Sequence, residues 1–345
     1  MEVLKNTTND NNDHIYYNMN INRREVAKNI LAEFSENRTN PILNVCDNYE
    51  MSVVRFSVPT INIPIFLWKP NEWFISINYL NNTFTREVPF IANQTGTNAP
   101  KFFGDAIWHY QDFIDCINAC LLLCFQDFAA DPVYLTIPIA ERPTEPPHMT
   151  YNGKTKLLNI YFPLEYDTTK INPIYIYFSS LLFGYFPAFQ NYGKEINPLL
   201  SHHFKVKNNR NNKVVVNGVD YYKLTEEWNE QFLWNDFQRL IFETDSIPVA
   251  NELISGQKNI TRKVLTDFEP LSGTNDQSNI QFYPQSNIRV YQMISGLELR
   301  QLDMRVFWQS KDGSVYPLYI SGYDFLTIKL YFKKKGVMLS ELGIF

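Results

Sequence analysis

The stretch that most limits how this chain can fold is LRQLDMRVFWQSKDGSVYPLYI, Leu299 to Ile320. Successive side chains of an extended strand point to opposite sides, so Leu302, Met304, Val306 and Trp308 share one face while Asp303, Arg305 and Gln309 share the other. Asp312-Gly313 can supply the positive φ of a tight turn, and the segment reads as a hairpin. The next apolar run repeats the pattern: Leu326, Ile328, Leu330 and Phe332 oppose Thr327, Lys329, Tyr331 and Lys333. One apolar and one polar face describe one leaf of a two-sheet sandwich. Phe307 is the exception, an apolar residue on the polar face.

Much of the remaining sequence has the same texture. From Met51 to about Phe90 come the short runs MSVVRFSV, INIPIFLW, WFISINYL and TFTREVPF, punctuated by Pro and Asn. KLLNIYFPLEY and PIYIYFSSLLFGYFPAF are dense aromatic strands, and KVKNNRNNKVVVNGVDYYKLT reads as a hairpin around a polar turn. FQRLIFET, TRKVLTDFEPL, IQFYP and IRVYQMI form a last set. Two segments have helical spacing instead: NRREVAKNILAEFSE, which Asn22 can cap, and a longer one over roughly Phe102 to Phe128. The Pro-rich IPIAERPTEPPH can be neither helix nor central strand. Met1 to Asn20, rich in Asn and Asp, reads as a mobile arm, and the apolar tail GVMLSELGIF is a second candidate arm. The expected fold class is mainly β, a sandwich or barrel with one or two helices. The 26 Phe and 21 Tyr suit it, because flat rings pack well on a pleated surface.

A formal net charge of -5 argues against a protein whose work is coating phosphate backbones, so direct nucleic-acid binding is not expected. No run is read as long and apolar enough to span a bilayer, and the polar N-terminus does not resemble a signal peptide, so the chain reads as soluble and intracellular in origin. Phosphate loops, dinucleotide glycine motifs, HExxH and GxSxG are all missing from the sequence, and no cofactor or catalytic residue is assigned. Cys116, Cys120 and Cys124 fall along one helical stripe, a spacing that suits a metal. With Cys46 remote and no CxxC, buried small side chains are the preferred reading and no metal is expected.

Paired acids, Glu243 with Asp245 and Asp267 with Glu269, are what glycoside hydrolysis requires. Each pair ends a strand shortly before a Pro, where carboxylates commonly hold loose backbone N–H groups. His202-His203 reads as a surface loop pair and His148 as solvated. Trp68, Trp73, Trp108, Trp228, Trp234 and Trp308 are scattered, which suits core and interface anchors better than a sugar platform. The basic runs Lys333-Lys334-Lys335 and Lys205, Lys207, Arg210, Lys213 read as solvated strand ends.

The succession RLIFETDSIPVANELI, RKVLTDFEPL, a strand with Tyr291, LRQLDMRVFWQSKDGSVYPLYI and IKLYFKKK resembles the penton, or minor capsid, proteins of virophages and polinton-like viruses, above all those of the Sputnik type. The segment KLLNIYFPLEYDTTKINPIYIYFSSLLFGYFPAF is also similar to that family's aromatic strands. These matches cover roughly Lys156 to Phe189 and Phe237 to Lys335. The resemblance implies a single jelly-roll β-sandwich with an inserted, outward-facing β-rich domain, five copies standing at each vertex of an icosahedral shell among double jelly-roll major capsid proteins. It places an N-terminal arm and helix at 1–50, the jelly roll at 51–98 plus 236–345, and the insertion at 99–235. Its members act by assembling, so the implied protein is a non-enzymatic virion component, a homopentamer made in the host cell cytoplasm, with a host receptor or fibre as a further partner of the insertion. Asp303, Arg305 and Phe307 are the candidate interface residues. Phe307 is expected to be covered by the inserted unit, a terminal arm or a neighbouring subunit. The alternative is a carbohydrate-binding sandwich or jelly-roll glycoside hydrolase.

Overall fold

The computed structural model describes residues 13–22, 30–60, 63–91, 105–189, 192–197, 200–206, 208, 210–229, 231–253, 261–269, 279–282, 289–320 and 324–336. The chain divides into two compact units, one made of Met1–Ile63, Asn98–Pro100 and Phe237–Phe345, the other of Pro64–Thr97 and Lys101–Asp236.

Among the described residues, the body of the first unit is two large antiparallel sheets. One orders its strands His14–Asn22, Phe325–Lys334, Tyr49–Pro59 and Asn279–Phe282, with Val290–Gln292 also on Tyr49–Pro59. The other runs Val264–Phe268, Phe237–Glu243, Gln301–Ser310 and Val315–Pro317, with Glu33–Asn37 also on Gln301–Ser310. Their inner faces meet: the Phe56 ring of the first sheet lies 4.6 Å from Phe242 and 5.4 Å from Phe268 of the second. Leu302, Met304, Val306 and Trp308 are buried, as are Leu326, Ile328, Leu330 and Phe332. Period-two alternation therefore selects the inward face of both strands, each large side chain contributing about 1.5–3 kcal/mol by leaving water.

The second unit contains a four-stranded sheet, Lys213–Val216, Val219–Thr225, Leu157–Pro163 and His148–Asn152. A five-stranded sheet orders Tyr192–Asn197, Leu200–Val206, Ile174–Ser179, Phe74–Tyr79 and Asn82–Glu87. The helix Tyr110–Ala130 supplies Phe113, Ile117, Cys120, Cys124 and Phe128 to their common core. Its first turn is closed by the His109 N–H, which donates to Asp112 Oδ2 at 3.3 Å.

Several expectations are corrected. The segment 64–97 belongs to the second unit and not to the sandwich, because Phe74–Tyr79 pairs residue for residue with Ile174–Ser179. His14–Asn22 is no mobile arm: it pairs over nine residues with Phe325–Lys334 and buries Tyr17, Met19 and Ile21 between exposed Asn18 and Asn20. Residues 1–12 and the tail 337–345 lie outside the described residues. In place of the helix expected over NRREVAKNILAEFSE, its described part forms the strands Ile30–Leu31 and Glu33–Asn37, where pairing of Phe34 with Met304 overrides local helical preference. The long helix begins at Tyr110, after the short strand Ala106–Ile107, and the Pro-rich link holds one 3-10 turn at Ile139–Glu141. Asn217-Gly218 makes the second unit's hairpin turn, both residues at positive φ, while Leu200–Val206 joins the other sheet.

Candidate functional site

The outer face of the strand Gln301–Ser310 gathers the three residues singled out from sequence. Glu243 pairs with Arg305 and Ile241 with Phe307, but beyond Glu243 the neighbouring chain turns away and leaves Gln301–Met304 without that partner. Asp303 closes the gap. Its Oδ1 accepts from Thr244 Oγ1 at 3.0 Å and from the Ser246 N–H at 2.6 Å, its Oδ2 accepts from the Asp245 N–H at 2.9 Å, and its own N–H donates to Ser246 Oγ at 2.9 Å. Burial pushes the Asp303 carboxyl up, and these hydrogen bonds outweigh it, holding the group below its ordinary value. The residue read as a solvent-facing acid is thus the cap of a loop.

Arg305 Nη2 donates to Asp245 Oδ2 at 2.8 Å, while its Nε has no acceptor among the described residues. The ion pair separates two shallow recesses. One, of about 700 Å³, is lined by Glu33, Phe34, Ser35, Asp303 and their neighbours; the other, of about 340 Å³, by Glu243, Asn251, Arg262, Lys263 and Phe307. Phe307 packs with Val315 against the buried pair Ile241 and Val264, and the Arg262 guanidinium carbon stands 5.4 Å from its ring centroid. A small apolar island on the polar face accounts for the break in alternation, and its cover includes residues of Phe307's own unit.

The remaining candidates are distributed elsewhere. Glu243 pairs with Arg262 at 2.7 Å, and Asp267 with Arg239 at 2.9 Å and Arg289 at 3.3 Å, so these acids knit the sheet surface together. Cys116, Cys120 and Cys124 are free and buried; Cys120 and Cys124 donate to the Arg86 and Ile75 carbonyls, and burial pushes the Cys116 thiol up to about 11. Among the described residues no three His, Cys, Asp or Glu side chains gather as a metal set. His148 is not solvated in a link: it begins the strand His148–Asn152 and stacks 5.0 Å from Tyr161. His202-His203 lies within the strand Leu200–Val206 and not in a loop.

Trp73, Trp234 and Trp308 are fully buried, Trp68 and Trp108 are half-buried and Trp228 is exposed. In the two basic runs, Lys334 pairs with Asp13, Arg210 with Asp167 and Lys213 with Asp220, and Lys205 stands over the Tyr175 ring. Contrary to expectation, one helix among the described residues, Tyr110–Ala130, is long and apolar enough to cross a membrane by length and composition. Its Phe113, Ile117, Cys120, Cys124 and Phe128 are buried in the second unit, as in a core helix.

A sequence profile of the family described as Sputnik minor capsid protein V18/19 matches residues 15–85 and 74–334. Structural protein V19 of Sputnik virophage is 24% identical over 204 residues, which cover 54% of this chain and 94% of that one. A chain of the 3.5 Å cryo-EM structure of the Sputnik virophage is similar with a TM-score of 0.76 at 24% identity, over 96% of this chain and 99% of its own. The crystal structure of selenomethionine-labelled mavirus penton protein gives 0.71 at 16% identity, over 93% and 99%. At such identities the likeness speaks of fold: a jelly-roll sandwich whose sequence is interrupted by a second β-rich unit.

Proposed function

The chain belongs to the Sputnik minor capsid protein V18/19 family, and from that premise we propose that it is a structural component of an icosahedral virion that forms homopentameric pentons at the five-fold vertices. The observation that carries this reading is the fold likeness to a penton protein, which extends over 93% of the chain. Its action is geometric. Copies bury their flanks against two neighbours, and such head-to-tail contacts close into a ring only when the rotation per contact divides the circle. Obligate contacts of this kind bury on the order of 2,000 Å² or more. The outer face holding Asp303, Arg305 and Phe307 is the proposed contact surface. Double jelly-roll major capsid proteins are the proposed outer neighbours, and a host receptor or fibre the proposed partner of the second unit. Synthesis in the host cytoplasm is part of the same proposal.

The glycoside hydrolase alternative finds no support, since Glu243 and Asp267 are tied to arginines and three of the six tryptophans are fully buried. Light scattering on the purified full chain during size exclusion tests the pentamer. A mass five times the 40.6 kDa chain is expected, and a strict monomer at all concentrations and in the presence of major capsid protein would contradict it.

A further inference from the structure

At the end of the strand Val219–Thr225 the antiparallel ladder is closed by a side chain. Thr225 pairs in register with Asn159. One residue further, the Glu226 N–H still donates to the Leu158 carbonyl at 3.1 Å, but the Leu158 N–H donates to the Glu226 side chain, at Oε2, 2.7 Å away. The next N–H, of Glu227, donates to the Ala188 carbonyl at 2.9 Å, and Glu226 forms an isolated antiparallel bridge with Phe189. Glu226 therefore stands where the chain leaves one sheet and meets the segment that follows the helical turn Ser180–Phe183.

The residue is 4% exposed, and its partners Leu158 and Phe189, like the adjoining Ala188, are buried and apolar. Its Oε1 is buried with no hydrogen-bond partner among the described residues. The described titratable groups on the surrounding elements are Lys156, His148, Tyr151, Tyr161, Asp220, Tyr221, Tyr222, Lys223, Glu227 and Tyr185. None of these moves the carboxyl: burial pushes it up to about 7, with the Leu158 N–H pulling the other way. An ionised carboxylate with one hydrogen bond and no counter-ion among the described residues is poorly accommodated in such a place, whereas the neutral acid keeps the Leu158 bond through its carbonyl oxygen.

We propose that Glu226 is a proton-operated latch within the second unit: as the neutral acid it holds the end of Val219–Thr225 to Leu158 and to the Ala188–Phe189 segment, and on releasing its proton to water it loosens that junction. The direction follows from linkage. A carboxyl exposed by opening titrates near its ordinary 4.5, while the closed one titrates near 7. The closed junction is therefore fully favoured below pH 4.5, loses ground as the pH rises to about 7, and changes no further above that.

Hydrogen exchange on the full chain, corrected for the intrinsic pH dependence of amide exchange, tests the latch in peptides covering 157–163, 185–189 and 219–229. The opening constant of the wild type is expected to rise roughly tenfold per pH unit between about pH 5 and 7 and to level off above. Glu226→Gln, which keeps the shape and the acceptor but cannot ionise, is expected to give a flat profile over the same range. A wild-type profile independent of pH, or a Glu226→Gln profile as steep as the wild type's, overturns the proposal. Should the variant fail to fold, infrared spectra of the wild type decide: a protonated carboxyl band present at pH 6 and lost at pH 8 supports the latch, and its absence at pH 6 overturns it.

Discussion

Phe56 and Phe242 meet across the sandwich of the first unit with ring centroids 4.6 Å apart and planes tilted by 43°. Phe268 and Phe282 complete the cluster around Phe56, at 5.4 and 5.1 Å. Truncating one ring leaves a cavity that two hydrogen-bonded sheets cannot collapse to fill. Phe242→Ala is therefore expected to lower the stability of this unit by about 3–5 kcal/mol. Hydrogen exchange of Tyr49–Pro59 and Phe237–Glu243 reads the effect without assuming that both units unfold together, and a loss below about 1 kcal/mol contradicts the packing described.

Asp303 caps Thr244, Asp245 and Ser246, so removing its carboxylate strands two backbone N–H groups. Asp303→Ala is expected to cost about 1–3 kcal/mol at neutral pH. Because the folded-state carboxyl sits below its ordinary value, the stabilisation is present above the unfolded value and is lost as the pH falls through the folded one. Denaturant midpoints of wild type and Asp303→Ala should converge in acid. A gap that stays constant from pH 7 down to strongly acid conditions argues against the cap.

Arg305 and Asp245 are 2.8 Å apart, but the Asp245 side chain is 76% exposed, and exposed pairs contribute about 0–1 kcal/mol. Arg305→Ala should therefore leave the stability of the monomer nearly unchanged. If this face is where neighbours meet, the same change, and Phe307→Ser more strongly, should weaken the pentamer in a dilution series followed by light scattering. Pentamers as resistant to dilution as the wild type would remove these residues from the contact, as would a Phe307 left in water in the assembled particle.

The hairpin Lys213–Val216 and Val219–Thr225 turns on Asn217 at φ +50° and Gly218 at φ +83°. A Cβ at Gly218 meets no neighbour, so the penalty of Gly218→Ala comes from the backbone alone. About 1 kcal/mol of local stability should be lost, seen as faster amide exchange confined to the hairpin. Unchanged exchange would show that the turn relaxes freely.

What the sequence discloses is what local periodicity can carry. Leu302 to Trp308 and Leu326 to Phe332 could be assigned their inward face because alternation is a property of the strand itself. Partner choice is not. Phe74–Tyr79 has the same texture as the sandwich strands, and only its register with Ile174–Ser179, about 100 residues away, assigns it to the second unit. Phe34 fits a helical stripe as well as it fits a strand, until Met304 is placed opposite it. At the candidate site, the polar face of Asp303, Arg305 and Gln309 was legible, but the role of Asp303 depended on where the chain turns after Glu243. Glu226 gave no local signal, since its meaning comes from Leu158 and Phe189, both distant in sequence.

The central claim is the place of this chain in the shell. Cryo-electron microscopy of intact particles, with the five-fold vertices reconstructed separately, tests it most directly. The account predicts five copies around each vertex axis, with the strands Gln301–Ser310 and Phe325–Lys334 and the helix Tyr110–Ala130 resolved in each copy. Vertex density that accommodates a different chain, or particles whose vertices stay complete when this protein is absent, would contradict it.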